Sequence, residues 1–249
     1  MQIRSLKQAT WPYAGFKGKG WLSMVGLQEV HPATPTIPPH ILVVEDEPSV
    51  ASGLKMILTE EGFIVDLAPD GESALETFKG DGIDLVVADL RLPDINGMEV
   101  LKSIKEDKPA TEAIIITGYP SVETVVESKK LGVRDYLRKP FSENELLAAV
   151  NEALRERERK RLDARLNTEE GRLIQKREVM RVLNRTADDK SFWVDLLEKG
   201  SACLEEYQLS TAAKAAIISG DLKWLNENVG ELTQKQLMFI YKRLEREAW

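Results

Sequence analysis

Histidine is nearly missing from this sequence. His31 and His40 are the only two in 249 residues, which removes most histidine-based catalytic and metal sites before any motif is sought. Cysteine is scarcer still. Cys203 stands alone, so no internal disulfide can form, and the chain suits a reducing compartment, the cytoplasm. No apolar run approaches the roughly 20 residues of a membrane span. There is no Gly-x-x-x-x-Gly-Lys loop to cradle a nucleotide, so any phosphoryl group must come from another molecule. A net charge of −7 argues against general affinity for nucleic acid or anionic membrane.

What is present divides the chain. The sequence is 43% hydrophobic and 30% charged, enough to bury a core, and its length allows one large domain or two small ones. Residues 41–150 carry 11 lysines and arginines against 22 aspartates and glutamates, whereas residues 151–249 carry 19 against 18. The five tryptophans avoid the acidic block: Trp11 and Trp21 precede it, and Trp193, Trp224 and Trp249 follow it. Two compositions predict two domains. Ahead of them, residues 1–39 are interrupted by Pro12, Pro32, Pro35, Pro38 and Pro39 and show no helical or strand period. They read as a disordered extension, or as sequence ahead of a true start near Met24. The weakly apolar stretch 21–27 is too short for a secretory signal.

From Ile41 the punctuation becomes regular. Short apolar runs at 41–44 (rich in β-branched residues), 63–67, 85–88 and 113–116, and the short stretch 136–138, read as strands. Helical periods fill the gaps, starting near Ser49, Glu72, Met98 and Val122, and Glu143 opens a long helix. Five β–α units in about 110 residues predict a flavodoxin-like, five-stranded parallel sheet covered by helices on both faces. Ligand sites in such sheets lie at the carboxyl ends of the strands. The residues there are Glu45 and Asp46, then Asp89, Thr117 and Lys139. Clustered carboxylates need a cation, and all-oxygen ligation with room for water suits Mg2+. A carboxylate is also a nucleophile toward phosphorus, and Lys139 would neutralise charge on the phosphoryl oxygens.

Four separated motifs carry a resemblance. They are Ile41-Leu42-Val43-Val44-Glu45-Asp46-Glu47-Pro48, then Asp84-Leu85-Val86-Val87-Ala88-Asp89-Leu90-Arg91-Leu92-Pro93-Asp94-Ile95-Asn96-Gly97, Ile116-Thr117-Gly118, and Asp135-Tyr136-Leu137-Arg138-Lys139-Pro140-Phe141. In this order they closely resemble the receiver domain of two-component response regulators, over residues 40–158. The resemblance implies that Asp89 accepts a phosphoryl group from a sensor histidine kinase. It implies that Asp46, Asp89 and the backbone carbonyl of Arg91 ligate Mg2+, with Glu45 acting through water. Thr117 and Tyr136 become the switch pair, and Lys139-Pro140 carries a cis peptide. Glu45 stands where aspartate is commoner, one methylene longer. Such a protein transfers phosphoryl to itself and loses it again; it is not an enzyme toward external substrates. Taken singly, each residue is an ordinary capping acid, strand-end hydroxyl, packed tyrosine or surface lysine, and Glu47 and Asp94 are read that way.

Residues 159–180 read as a helical linker, rich in opposed charges at i, i+4. Leu147 and Leu154, and Leu166, Leu173 and Met180, keep seven-residue steps. They allow a short dimerising coiled coil, against the plainer reading of a solvated spacer. Residues 181–249 read as a small all-α output domain, with one apolar face from Trp193, Leu196, Leu197, Cys203, Leu204 and Tyr207. Ser210 and Asp221 are expected helix caps, and Thr233 with Gln236 a capping box opening a helix that contains Leu237, Ile240, Tyr241 and Leu244. The stretch 205–225 faintly resembles the small helical subunit of extradiol aromatic-ring-opening dioxygenases. Histidine-dependent outputs are excluded. A near-neutral tail favours an unknown protein partner. The alternative is a DNA-binding regulator acting as a phosphorylation-dependent dimer, read through Lys235, Lys242, Arg243 and Arg246. A homodimer would pair through the face of helix four, strand five and helix five, or through the linker helix. No membrane partner is expected.

Overall fold

The computed structural model describes residues 37–80, 82–238 and 240. Most of the N-terminal extension lies outside the described residues, as do Tyr241, Lys242, Arg243, Leu244 and Arg246 of the last helix.

Five strands form one parallel sheet: β1 (His40–Val44), β2 (Ile64–Ala68), β3 (Ile83–Asp89), β4 (Glu112–Thr117) and β5 (Asp135–Arg138). Their order is β2-β1-β3-β4-β5, the flavodoxin-like arrangement expected from the alternation. The order reverses between β1 and β3, which opens a crevice above their carboxyl ends. Successive residues of a strand face opposite sides, and the central strands are apolar on both. Ile41, Val43, Leu85, Val87, Ile114 and Ile116 pack against α1 (Pro48–Glu60) and α5 (Glu143–Leu166). Leu42, Val86, Ala88 and Ile115 pack with α2 (Gly71–Phe78) and α3 (Gly97–Asp107), and α4 (Val122–Leu131) adds Leu131 at the margin of that cluster. The edge strand β2 differs. It starts at Ile64 rather than Phe63, and Ile64 and Leu67, on opposite faces, are both exposed, while Val65 and Ala68 are buried on one face each: an edge strand is only partly covered on either side.

Local chemistry fixes the helix starts. Ser142 and Glu145 form a reciprocal capping box at the start of α5, and Ser121 and Thr124 another at α4. This gives two orphan backbone donors a partner at each helix end. Asp94 is a capping acid, as read, but the helix it caps is distant in the sequence. Its two carboxylate oxygens accept from the backbone N–H groups of Gly71 and Glu72 at 2.8 Å each, so a loop residue caps α2 from a distance. Those bonds hold its carboxyl below the usual aspartate range, with the Gly71 N–H as the largest cause.

α5 is one continuous helix from the receiver sheet to the tail. Leu146, Ala149, Val150, Ala153 and Leu154 pack in the receiver core. Arg157 then pairs with Asp84 at 2.6 Å and Lys160 with Glu112 at 2.7 Å, at the amino ends of β3 and β4. Asp163 accepts from the backbone N–H and hydroxyl of Thr211 in the tail at 2.8 and 2.7 Å. The seven-residue steps do not make one seam. Leu154 and Leu166 are buried within the chain, while Leu173 is 68% exposed.

The tail is helical: α6 (Glu169–Asp188), α7 (Lys190–Lys199), a 3-10 turn (Gly200–Leu204), α8 (Thr211–Ser219) and α9 (Leu222–Asn228), then helical residues at 234–238. Its core joins Val179, Val182, Leu183, Phe192, Leu196, Leu204, Tyr207, Ile217 and Leu225. Ser210 and Asp221 cap α8 and α9 as expected, and Thr233 and Gln236 exchange the expected capping-box bonds. Phe192, rather than Trp193 or Leu197, points fully inward. α5 and α6 meet at a tight elbow. A Cβ on Gly171 would lie 2.1 Å from the Arg165 carbonyl oxygen and 2.6 Å from Leu166 Cα.

Candidate functional site

The strand ends bring the expected groups together unequally. Asp89 closes β3 and is 7% exposed; Glu45 follows β1 and is 3% exposed. Lys139 follows β5, and its backbone N–H donates to the Thr117 carbonyl at 2.8 Å. This ties the start of its loop to the end of β4. Its ammonium then reaches both acids, donating to Asp89 Oδ2 and to Glu45 Oε2 at 2.6 Å each. The other Asp89 oxygen accepts from the Arg91 N–H at 3.0 Å. Asp46 is exposed at the rim. The Lys139–Pro140 peptide is cis.

The electrostatics follow from this sharing. Burial pushes the Glu45 carboxyl above its ordinary value; bonding to Lys139 opposes the rise without cancelling it, and the nearby Asp89 charge adds to it. Burial alone would lower the Lys139 ammonium. Its bonds to Asp89 and Glu45, and their charges, outweigh that and hold it above the usual lysine range. One ammonium against three carboxylates leaves the mouth about two negative charges in excess. A thermal consequence follows for Glu45. Its raised value means that stability is fully present below about pH 4.5 and is lost as pH rises through the folded-state value. Glu45→Gln has no such proton to lose. Without divalent cations at neutral pH it should melt above the wild type. The two should converge near pH 4. Equal melting curves at neutral pH would show that Lys139 offsets the burial in full.

The switch candidates sit on either side of the β4–α4 loop. Thr117 is fully buried, and its hydroxyl oxygen accepts from the Tyr119 N–H at 3.2 Å. The Tyr136 hydroxyl shares a hydrogen bond with Thr124 Oγ1 at 3.1 Å, in the first turn of α4. Sequence reasoning missed one neighbour. The Arg91 guanidinium lies over the Tyr119 ring, 3.4 Å from its centroid, and so joins the loop after Asp89 to the loop after Thr117. An arginine two positions beyond one strand end and a tyrosine two beyond another were the only available signal. Gly97 supports the same loop. A Cβ there would lie 1.9 Å from the Asp89 carbonyl oxygen, so α3 packs directly under the acceptor only because residue 97 has no side chain. The Glu47 side chain accepts from the Ser49 hydroxyl at 2.7 Å, and only its backbone reaches the cluster, through a hydrogen bond to the Glu45 carboxylate.

Among the described residues no group of three or more His, Cys, Asp or Glu side chains forms a ready metal cage. The donor chemistry nonetheless fits Mg2+. That ion keeps several waters and needs only one or two carboxylates beside a substrate phosphate, and the donors here are hard anionic oxygens in excess of their one ammonium.

Residues 41–151 match the response regulator receiver domain family. The transcriptional regulatory protein TrcR of Mycobacterium tuberculosis is 38% identical over 118 residues, 47% of this chain and 46% of TrcR. FixJ of Bradyrhizobium diazoefficiens is 35% identical over 119 residues, 48% of this chain and 58% of FixJ. DltR of Streptococcus agalactiae is 36% identical over 153 residues, 58% of this chain and 67% of DltR. The chain thus spans about half the length of TrcR and FixJ. Among solved structures, a CheY-like receiver domain protein from Methanospirillum hungatei is 31% identical, over 50% of this chain and 99% of that one, with a TM-score of 0.49.

Proposed function

Because the chain belongs to the response regulator receiver family, we propose that it is a phosphorylation-operated switch for transcription, with Asp89 as acceptor and the helical tail as output. The observation that carries the reading is the single ammonium of Lys139 shared between Asp89 and Glu45 at the mouth of the sheet. A sensor histidine kinase supplies the phosphoryl group. An Asp89 carboxylate oxygen forms the new bond to phosphorus as the bond from phosphorus to the donor's imidazole nitrogen breaks. The imidazole leaves with the electron pair and takes up a proton. Lys139 balances charge on the phosphoryl oxygens, and the Arg91 N–H holds the second Asp89 oxygen in place. Asp46, Asp89 and the Arg91 carbonyl, with Glu45 through water, would hold Mg2+, which would supply further charge neutralisation when bound.

Phosphorylation biases an existing two-state equilibrium. Thr117 gives up the Tyr119 N–H and turns its hydroxyl to the new phosphoryl oxygen. Tyr136 leaves Thr124 and swings inward, which frees the first turn of α4. Tyr119, Val122 and Val126 are exposed beside it, an apolar surface suited to pairing two copies through α4, β5 and α5. TrcR, FixJ and DltR are transcriptional regulatory proteins, which supports DNA as the target over the protein partner suggested by the tail's near-zero charge. The absence of any membrane-length apolar helix among the described residues fits a cytoplasmic role.

The test is capture of sheared genomic DNA by the chain activated with Mg2+ and beryllofluoride, sequenced against an Asp89→Asn control. Sites enriched only on activation are expected. No enrichment in either sample would replace the DNA output with a protein-binding one.

A further inference from the structure

Between Gly171 and Ala187, every charged side chain that α6 exposes is a cation. Arg172, Lys176, Arg177, Arg181 and Arg185 face solvent, and the one acid in the span, Glu178, is buried. With 3.6 residues per turn, Arg172 and Lys176 fall on one flank of the exposed face and Arg177 and Arg181 on the other. Leu173, Met180 and Asn184 lie between them, and Val179, Val182 and Leu183 turn inward to the tail core. Among the described residues Arg172 and Lys176 form no ion pair. Arg177 and Arg181 share Glu178 at 3.7 and 3.4 Å. Arg185 is engaged elsewhere, by Glu206 at 2.6 Å and by the Phe192 ring. The basic residue of the last helix that the structure describes, Lys235, is paired with Asp188.

We infer that this face of α6 is the surface by which the tail grips duplex DNA, through phosphates on both sides of one groove. The inference rests on the transcriptional reading above and names its contact surface. A helix with its side chains is about 10–12 Å across, which matches a major groove about 12 Å wide. Cations on opposite flanks then meet opposite phosphate rails. Four of the five cations are arginine, whose planar fork pairs with phosphate through two bonds. A membrane surface would want a broad apolar face with aromatic anchors, and here Leu173 is the one strongly exposed apolar residue between the flanks.

The experiment uses the full chain with Mg2+ and beryllofluoride and a labelled mixed-sequence duplex of about 30 base pairs, titrated by anisotropy at several salt concentrations. Arg172→Gln with Lys176→Gln removes the two unpaired cations of the face. Lys190→Gln with Lys223→Gln removes two exposed cations elsewhere in the tail and serves as the charge-matched control. The first pair should weaken binding about tenfold and reduce the slope of log affinity against log salt by about 1.8, or 0.9 for each phosphate contact. The control pair should bind nearly as the wild type does. Unchanged thermal melting of both pairs shows that the tail still folds. Binding by the first pair equal to wild type, or an equal loss in the control, overturns this assignment and leaves the transcriptional reading standing. A wild type that retains no duplex overturns both. Salt-sensitive self-association lost in the first pair, read by sedimentation, would instead give the face to the acidic receiver of a second copy.

Discussion

Asp89→Asn should take no label from a small phosphodonor with Mg2+, with loss of at least about 100-fold, since a missing nucleophile removes the covalent step itself. The amide keeps the size of the side chain, but its single oxygen can accept from Lys139 or from the Arg91 N–H and not from both. It lacks the anionic oxygen that bonds to phosphorus. The measurement is acyl-phosphate formation, scored by its lability to hydroxylamine, beside a melting curve showing the variant folded. Relief of repulsion between residues 45 and 89 should leave that melting temperature unchanged or higher. Full labelling of the variant would move the acceptor to another carboxylate, with the exposed Asp46 first in line, and would remove the basis for the switch.

Gly171→Ala should unfold the tail early. Alanine is the better helix former by about 1 kcal/mol, so propensity alone predicts a gain. The elbow reverses the sign. The added methyl meets the Arg165 carbonyl and Leu166 Cα, both backbone atoms of the preceding helix, and neither can rotate aside. Overpacking of this kind costs about 1–3 kcal/mol and sometimes more. For a unit of 60–100 residues, 3 kcal/mol corresponds to a fall in melting temperature of more than roughly 10 °C. Asp89 labelling should be untouched, because the receiver core is complete without the elbow. Gly53→Ala is the natural comparison. No atom lies within 4 Å of its added Cβ, so that helix should gain the ordinary propensity increment. A stabilised Gly171→Ala would show that α5 and α6 slide apart freely and that the tail is only loosely held.

The receiver was legible because burial and chemistry fall in register along the chain. A β-branched run such as 113–116 becomes a central strand with both faces covered, and the polar residue that ends it is where the crevice opens. What was not legible depends on contacts distant in sequence. Asp94 gives no local sign that it caps a helix more than 20 residues earlier. Arg91 and Tyr119 meet only because β3 and β4 are neighbours. The shared ammonium of Lys139 could be placed at the right edge, but not between Glu45 and Asp89 rather than beside Asp46. In the tail, the helical period marked an apolar stripe without fixing its rotation, so Trp193 and Leu197 were expected where Phe192 is buried. The heptad steps misled for a related reason. Spacing finds Leu154, Leu166 and Leu173 alike, whereas the fold buries the first two and leaves the third outside. The basic face of α6 was hidden by averaging, since the tail's acids cancel its cations in a net charge but not on one helix surface.

The unbroken course of α5 makes the chain a ruler as well as a link. Arg157 and Lys160 bind it to the receiver, and Asp163 binds it to the tail less than a turn later. Orientation is therefore written as a residue count. One residue inserted after Lys160 would rotate everything beyond it by about 100° and carry it 1.5 Å further out, whereas four would restore the facing to within about 40°. Activity measured across such an insertion series would rise and fall with the helical repeat if the tail reads angle, and would fall once and stay low if it reads only contact. The short segment between Lys160 and Leu166 is thus where the geometry of the response is set, although it touches neither the phosphoacceptor nor the surface that answers it.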